Sequence, residues 1–144
     1  MRETFRRSSA SPKGVAAWDV GAVINFRGMF QESEIDADLS GWNTESAEDF
    51  SFMFAHAGTF TADLSNWSTG KVKNFDSMFA SALTFNANLT AWDTSSADSI
   101  YHMFRGASSF DELLCWELRP GVSMEIPVSE NFLNSKARLF DSTC

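Results

Sequence analysis

The chain is poor in the residues that most site chemistry needs. It has two His, two Cys, three Pro and one Tyr in 144 residues. No Ser-His-Asp order, glycine-rich phosphate loop or Cys-x-x-Cys pair is present, so the common enzyme classes have no foothold. His56 and His102 have no second ligand at metal spacing and are expected on the surface. No run approaches the roughly 20 apolar residues that span a bilayer. None follows the N-terminal arginines, so no intact secretory signal is visible, although a cleaved signal would leave the same trace. Cations are also scarce: 11 Lys and Arg stand against 19 Asp and Glu, for a net charge of −8. Residues 1–13 carry +3 of that balance, leaving −11 for the remainder. An acidic body disfavours nucleic acid and anionic lipid, which attract clustered Lys and Arg. The expectation is a protein with no enzymatic activity, cofactor, metal, nucleic-acid partner or membrane span.

What the chain does have is a beat. Trp18, Trp42, Trp67, Trp92 and Trp116 recur at gaps of 24, 25, 25 and 24 residues. Eleven residues after each of the first four comes a Met-Phe pair: Met29-Phe30, Met53-Phe54, Met78-Phe79 and Met103-Phe104. Between and beyond them run columns of Val23, Ala47, Val72 and Ala97, then Phe26, Phe50, Phe75 and Ile100. Ile35, Phe60, Phe85 and Phe110, then Leu39, Leu64, Leu89 and Leu113, complete each unit. A fixed period of this length signals stacked units that bury their apolar faces against one another. Fourteen Phe against one Tyr suits a dry column, because Phe has no polar tip to satisfy. The Met column is therefore read as core and not as a heme or metal strip.

Within a unit, Val72, Phe75, Met78, Phe79 and Ala82 fall at helical spacing. Thr44-Glu45-Ser46, Thr69 and Thr94-Ser95-Ser96 lie upstream as candidate caps, and Gly58 and Gly106 lie near the far end, where helices stop. The next stretch, 60–67, alternates Ala62 and Leu64 inward with Asp63 and Ser65 outward, as a short strand would. The fold predicted is an α/β repeat solenoid of leucine-rich-repeat type. Each 24–25 residues would carry one short helix and one short parallel strand. A parallel β-helix is the alternative. Residues 1–13 are expected as a flexible basic arm, 14–116 as the solenoid with four full units, and 117–144 as a C-terminal cap.

The unit from Met78 to Thr94, M-F-A-S-A-L-T-F-N-A-N-L-T-A-W-D-T, resembles the repeat of BspA-type leucine-rich-repeat surface proteins. The same repeat is known from mycoplasma lipoproteins, Gram-positive surface proteins and unicellular algae. It runs here from about Val15 to Trp116. This chain departs from it at Ala37, Ala62 and Ala87, where a polar residue is common. The resemblance implies a non-catalytic surface or adhesion module, secreted or at the cell surface.

Several residues stand apart from the core pattern. Phe52 and Tyr101 are aromatic where sister units hold small or polar residues, which marks them as candidate partner contacts. Asp38, Asp63, Asn88 and Glu112 form an acidic column, with Asp36 and Asp111 beside it. Carboxylate pairs serve glycoside hydrolysis, and acidic ladders hold calcium. Asn88 interrupts this one, so a solvated recognition face around Asp38 and Asp63 is the expectation. Thr44, Thr69 and Thr94 raise ice binding, but a second adjacent Thr rank is missing. The functional readings are thus an interaction or adhesion module, a structural subunit of a larger assembly (in an organelle lumen, for instance) or, in a different class, a carbohydrate-active enzyme.

Cys115 and Cys144 both fall at the C-terminal end, where a disulfide would staple a cap with little core of its own. Such a bond implies an oxidising compartment. Mass spectrometry of the unreduced, alkylated protein is expected to find neither thiol labelled; two labelled thiols would remove the pairing and the secreted reading with it.

Overall fold

Each repeat forms one coil, and the coils stack. The computed structural model describes residues 4–9 and 11–123. Among them the one regular element is a three-residue 3-10 turn, Val15–Ala17. Isolated parallel bridges join Asn25 to Asp49, Asp49 to Asn74, Asn74 to Ser99 and Ser99 to Ser123. All five residues stand seven positions after a Trp, so the repeat register read from the tryptophans is the register of the stack.

The α/β solenoid of leucine-rich-repeat type is not what the chain forms, nor is the regular parallel β-helix. The segments expected as helices are chains of turns. In the second coil the N–H groups of Phe50, Phe52, Phe54 and His56 donate to the carbonyls of Asn74, Asp76, Met78 and Ala80 in the next coil. The intervening N–H groups of Met53, Ala55 and Ala57 donate three residues back, to Phe50, Phe52 and Phe54. The carbonyls of Asp49, Ser51, Met53 and Ala55 accept from the first coil in the same way. Every second N–H therefore crosses between coils, which an α-helix forbids because it keeps its bonds four residues back. From Phe50 to Ala57 every N–H is thereby paired, Ser51 with the Asp49 carboxylate, without a helix or a strand.

The helical spacing nevertheless picks the right core. Val72, Phe75, Met78, Phe79 and Ala82 are all fully buried. Turns closed over three residues return a side chain to the same face at nearly the spacing of a helix, so one sequence pattern serves both conformations. Phe30, Phe54, Phe79 and Phe104 stack coil on coil at 5.5–5.7 Å between centroids. Phe60, Phe85 and Phe110 form a second rank at 5.7–5.8 Å. Trp42 lies nearly parallel to Trp67 at 6.1 Å, and Trp92 to Trp116 at 6.3 Å. Each buried indole also satisfies its N–H: Trp42 donates to the Val15 carbonyl, Trp67 to Leu39, Trp92 to Leu64 and Trp116 to Leu89, at 2.9–3.0 Å.

The caps proposed for the helices have other tasks. Thr44 and Thr69 are buried, and each hydroxyl donates to a carbonyl of the next coil, Ser68 and Asp93 respectively. Thr94, in the same column, is buried too, so this rank offers no face to ice. At the last unit the register slips by one: Leu114 is fully buried in place of Leu113.

The segment expected as a loose arm in part continues the stack. Phe5 N–H donates to the Met29 carbonyl and Arg7 N–H to Gln31, and the Phe5 ring lies 6.0 Å from Phe30, in the same column. Beyond Trp116, Leu118 and Val122 still pack on the core, while the rest of the proposed cap lies outside the described residues.

Replacing Trp67 separates ring packing from the indole bond. Trp67→Ala is expected to cost about 3–5 kcal/mol. Trp67→Phe should cost about 1 kcal/mol, because the Leu39 carbonyl keeps the Trp42 backbone N–H. Urea unfolding of both variants checks this; equal losses would mean that the hydrogen bond, not the ring, supplies most of the stabilisation.

Candidate ligand-binding face

The turn chains need left-handed residues at two places in every coil. One column, ten residues after the Trp, holds Gly28, Phe52, Ser77 and His102, all with φ between 53° and 60°. The other, four residues further on, holds Arg7, Glu32, His56, Ser81 and Gly106, with φ between 56° and 74°. A left-handed backbone costs an L-residue roughly 1–2 kcal/mol, and glycine escapes that cost. Only one position in each column is glycine. The remaining side chains project from the dry column and form a two-column face of unlike chemistry.

Three parts of this face are distinct. At the N-terminal end, Glu32 holds Arg7 at 2.7 Å and Arg6 at 3.3 Å. The Arg7 guanidinium, reinforced by Arg6, keeps the Glu32 carboxyl below the usual carboxylate range. Next, the Arg27 guanidinium lies over the Phe52 ring at 4.7 Å, a cation–π contact, and its Nη1 donates to the Ser51 hydroxyl at 2.8 Å. Phe52 is thereby half-buried, not the open aromatic expected. Beyond it, His56, Ser77, Ala80, Ser81, His102, Arg105 and Gly106 line a recess of about 390 Å³. Tyr101 borders it, 39% exposed, its ring 4.0 Å from that of His102. Phe52 and Tyr101 thus fall on one side of the stack, two coils apart.

Asp38 and Asp63 lie elsewhere. With Asp36, Thr61 and Asn66 they line a shallow groove of about 480 Å³. Their column is first of all a turn device. One Asp38 oxygen accepts the Ser40 N–H and one Asp63 oxygen the Ser65 N–H, each at 2.9 Å, and Asn88 accepts from Thr90 in the same way. These are Asx turns, which accept Asn as readily as Asp and account for the break in charge at Asn88. Bonds from Ser40, hydroxyl first and N–H second, hold the Asp38 carboxyl below the usual range. Among the described residues no group of three His, Cys, Asp or Glu side chains is placed to hold a metal ion. Cys115 is on the outside of the last coil, and its expected partner Cys144 lies outside the described residues.

Over residues 1–116 the chain matches a family described as Mycoplasma protein of unknown function, DUF285. The chain belongs to the DUF285 family. No curated protein and no solved structure matches it. The DUF285 match starts before the first Trp and ends at the last, so it includes the arm that the stack absorbs. Among the described residues of this DUF285 chain, no helix is long and apolar enough to cross a membrane.

The recess has no motif of its own in the sequence. His56 and His102 are nearly two repeats apart, and a helical reading scatters them over a convex surface. The signal that could locate it is the offset of Gly28 and Gly106 from their tryptophans, which marks both left-handed columns. Gly106 reads as a helix stop if a helix is assumed.

His56→Gly tests whether the face is held at a conformational cost. His56 is exposed at φ 60°. Its replacement by glycine is expected to raise stability by about 0.5–1 kcal/mol in chemical unfolding, the left-handed cost less the added chain entropy of glycine. A loss of stability would mean that the imidazole makes contacts worth more than the strain.

Proposed function

We propose that this chain is a non-catalytic interaction module, of the adhesion type that its resemblance to BspA-type surface proteins implies, and that the left-handed columns are its contact face. The observation that carries the reading is the placement of Phe52, His56, Ser77, Ser81 and His102 at backbone positions where glycine would be cheaper. Strain of this kind clusters where a side chain is needed for something other than folding. Tyr101, next to His102, adds an amphipathic ring of the sort that recurs at recognition surfaces. The acidic groove at Asp38 and Asp63 is a secondary contact region. Its carboxylates already serve turns, which favours recognition over hydrolysis. Placement at a cell surface or outside the cell is part of the same reading.

Beads coated with the protein provide the test, with cultured epithelial cells and immobilised matrix glycoproteins as the surfaces offered. Wild-type beads are expected to be retained on at least one of them. A Phe52→Gly, His56→Gly, His102→Gly triple variant should lose retention about tenfold or more, as hot-spot removal does, while remaining folded. Retention unchanged by the triple variant would move the contact elsewhere, and absence of wild-type retention would remove the adhesion reading.

A further inference from the structure

The recess at the far end of this face has a chemistry opposite to the net charge of the chain. The chain carries −8 overall, yet among the described residues no carboxylate lines the recess. Its polar side chains are two serine hydroxyls, two imidazoles and one guanidinium, all able to donate a hydrogen bond. Three successive coils supply them: His56 from one, Ser77 and Ser81 from the next, His102 and Arg105 from the third. The Arg105 N–H donates to the His102 carbonyl at 3.1 Å, closing a turn that brings the two side chains together. Arg105 Nη1 then lies 3.3 Å from His102 Nε2. The cation is therefore positioned at the wall of the recess while most of its planar fork, which matches two oxygens of a tetrahedral anion, stays available. Glu32, the one acidic residue of these columns, is engaged with Arg6 and Arg7, and Asp76, the chain neighbour of Ser77, with the Ser99 hydroxyl and the Tyr101 N–H. The volume suits a small polar group, at the low end of ligand sites.

We propose that this recess binds a tetrahedral oxyanion, a phosphate or sulfate group, with Arg105 as the principal ligand, His56, Ser77 and Ser81 as further donors, and His102, whose Nε2 accepts from Arg105, as the group that positions the guanidinium. The assignment rests on the reading of the left-handed columns as a contact face, and gives that face its ligand chemistry.

Calorimetric titration with inorganic phosphate and inorganic sulfate tests it, against sodium chloride at equal ionic strength. One equivalent of at least one oxyanion is expected to bind, and the stronger of the two identifies the group. Arg105→Gln should weaken binding about tenfold or more, the loss of a charged pair of hydrogen bonds. Arg105→Lys should recover only part of it. Lys71→Gln, an equal change of charge at an exposed site outside the recess, should bind like the wild type. Thermal melting of each variant separates loss of the ligand from loss of the fold. Heats no different from chloride, or equal affinity in Arg105→Gln, would overturn the proposal. Equal weakening by Lys71→Gln would do the same, by reducing the effect to net charge. Bead retention that survives Arg105→Gln but fails in the glycine triple variant would leave the contact face standing without this ligand.

Discussion

A buried backbone must find partners for its N–H and C=O groups, and this chain meets that constraint by sending alternate N–H groups across to the next coil. In Phe50, Phe52, Phe54 and His56 the bond crosses; in Met53, Ala55 and Ala57 it turns back three residues. The pattern works only if successive coils match in length to within a residue. An extra residue between a Trp and the second left-handed column, where all four units match residue for residue, would pair outward side chains with inward ones and leave buried amides unpaired; the 24- and 25-residue units differ only beyond that stretch. The regularity of the tryptophan spacing is thus a backbone requirement as much as a packing one. The indoles enforce it, since each donates to the carbonyl that starts the preceding coil's Trp corner.

The same alternation produces the outer face. A turn chain reverses often enough only if some residues enter the left-handed region, and those residues aim their side chains away from the aromatic column. Local backbone geometry, core packing and recognition are therefore linked: the positions that bend the coil are the positions that display. Gly28 and Gly106 occupy them at low cost, while Phe52, His56 and His102 occupy them with chemistry. The recess around Arg105 follows from stacking three such coils.

Much of the interior is legible in the sequence alone. The Met and Phe columns are core as their register implies, and so are Trp42, Trp67, Trp92 and Trp116 with Leu39, Leu64 and Leu89, while Trp18, in the first coil, is half-buried against them. The exception among the leucines is local, Leu114 replacing Leu113 where the repeat begins to decay. Asp38 and Asp63 are on the surface as expected, but as turn residues first. Phe52 is foreign to the core pattern, as comparison of the units implies, but its cover by Arg27 depends on the neighbouring coil, which no single unit reveals.

Side-chain identity alone decided most of the apolar core columns and the period at which coils follow one another, because burial depends on hydrophobicity and period. It did not decide the path of the backbone between those residues. A helix bonded four residues back and a turn chain bonded three back present nearly the same apolar stripe. The difference lies in where alternate amides go, and only a neighbouring coil can offer them carbonyls. Tertiary stacking therefore chose turns over helices, and in doing so brought His56 of one repeat and His102 and Arg105 of another to one recess.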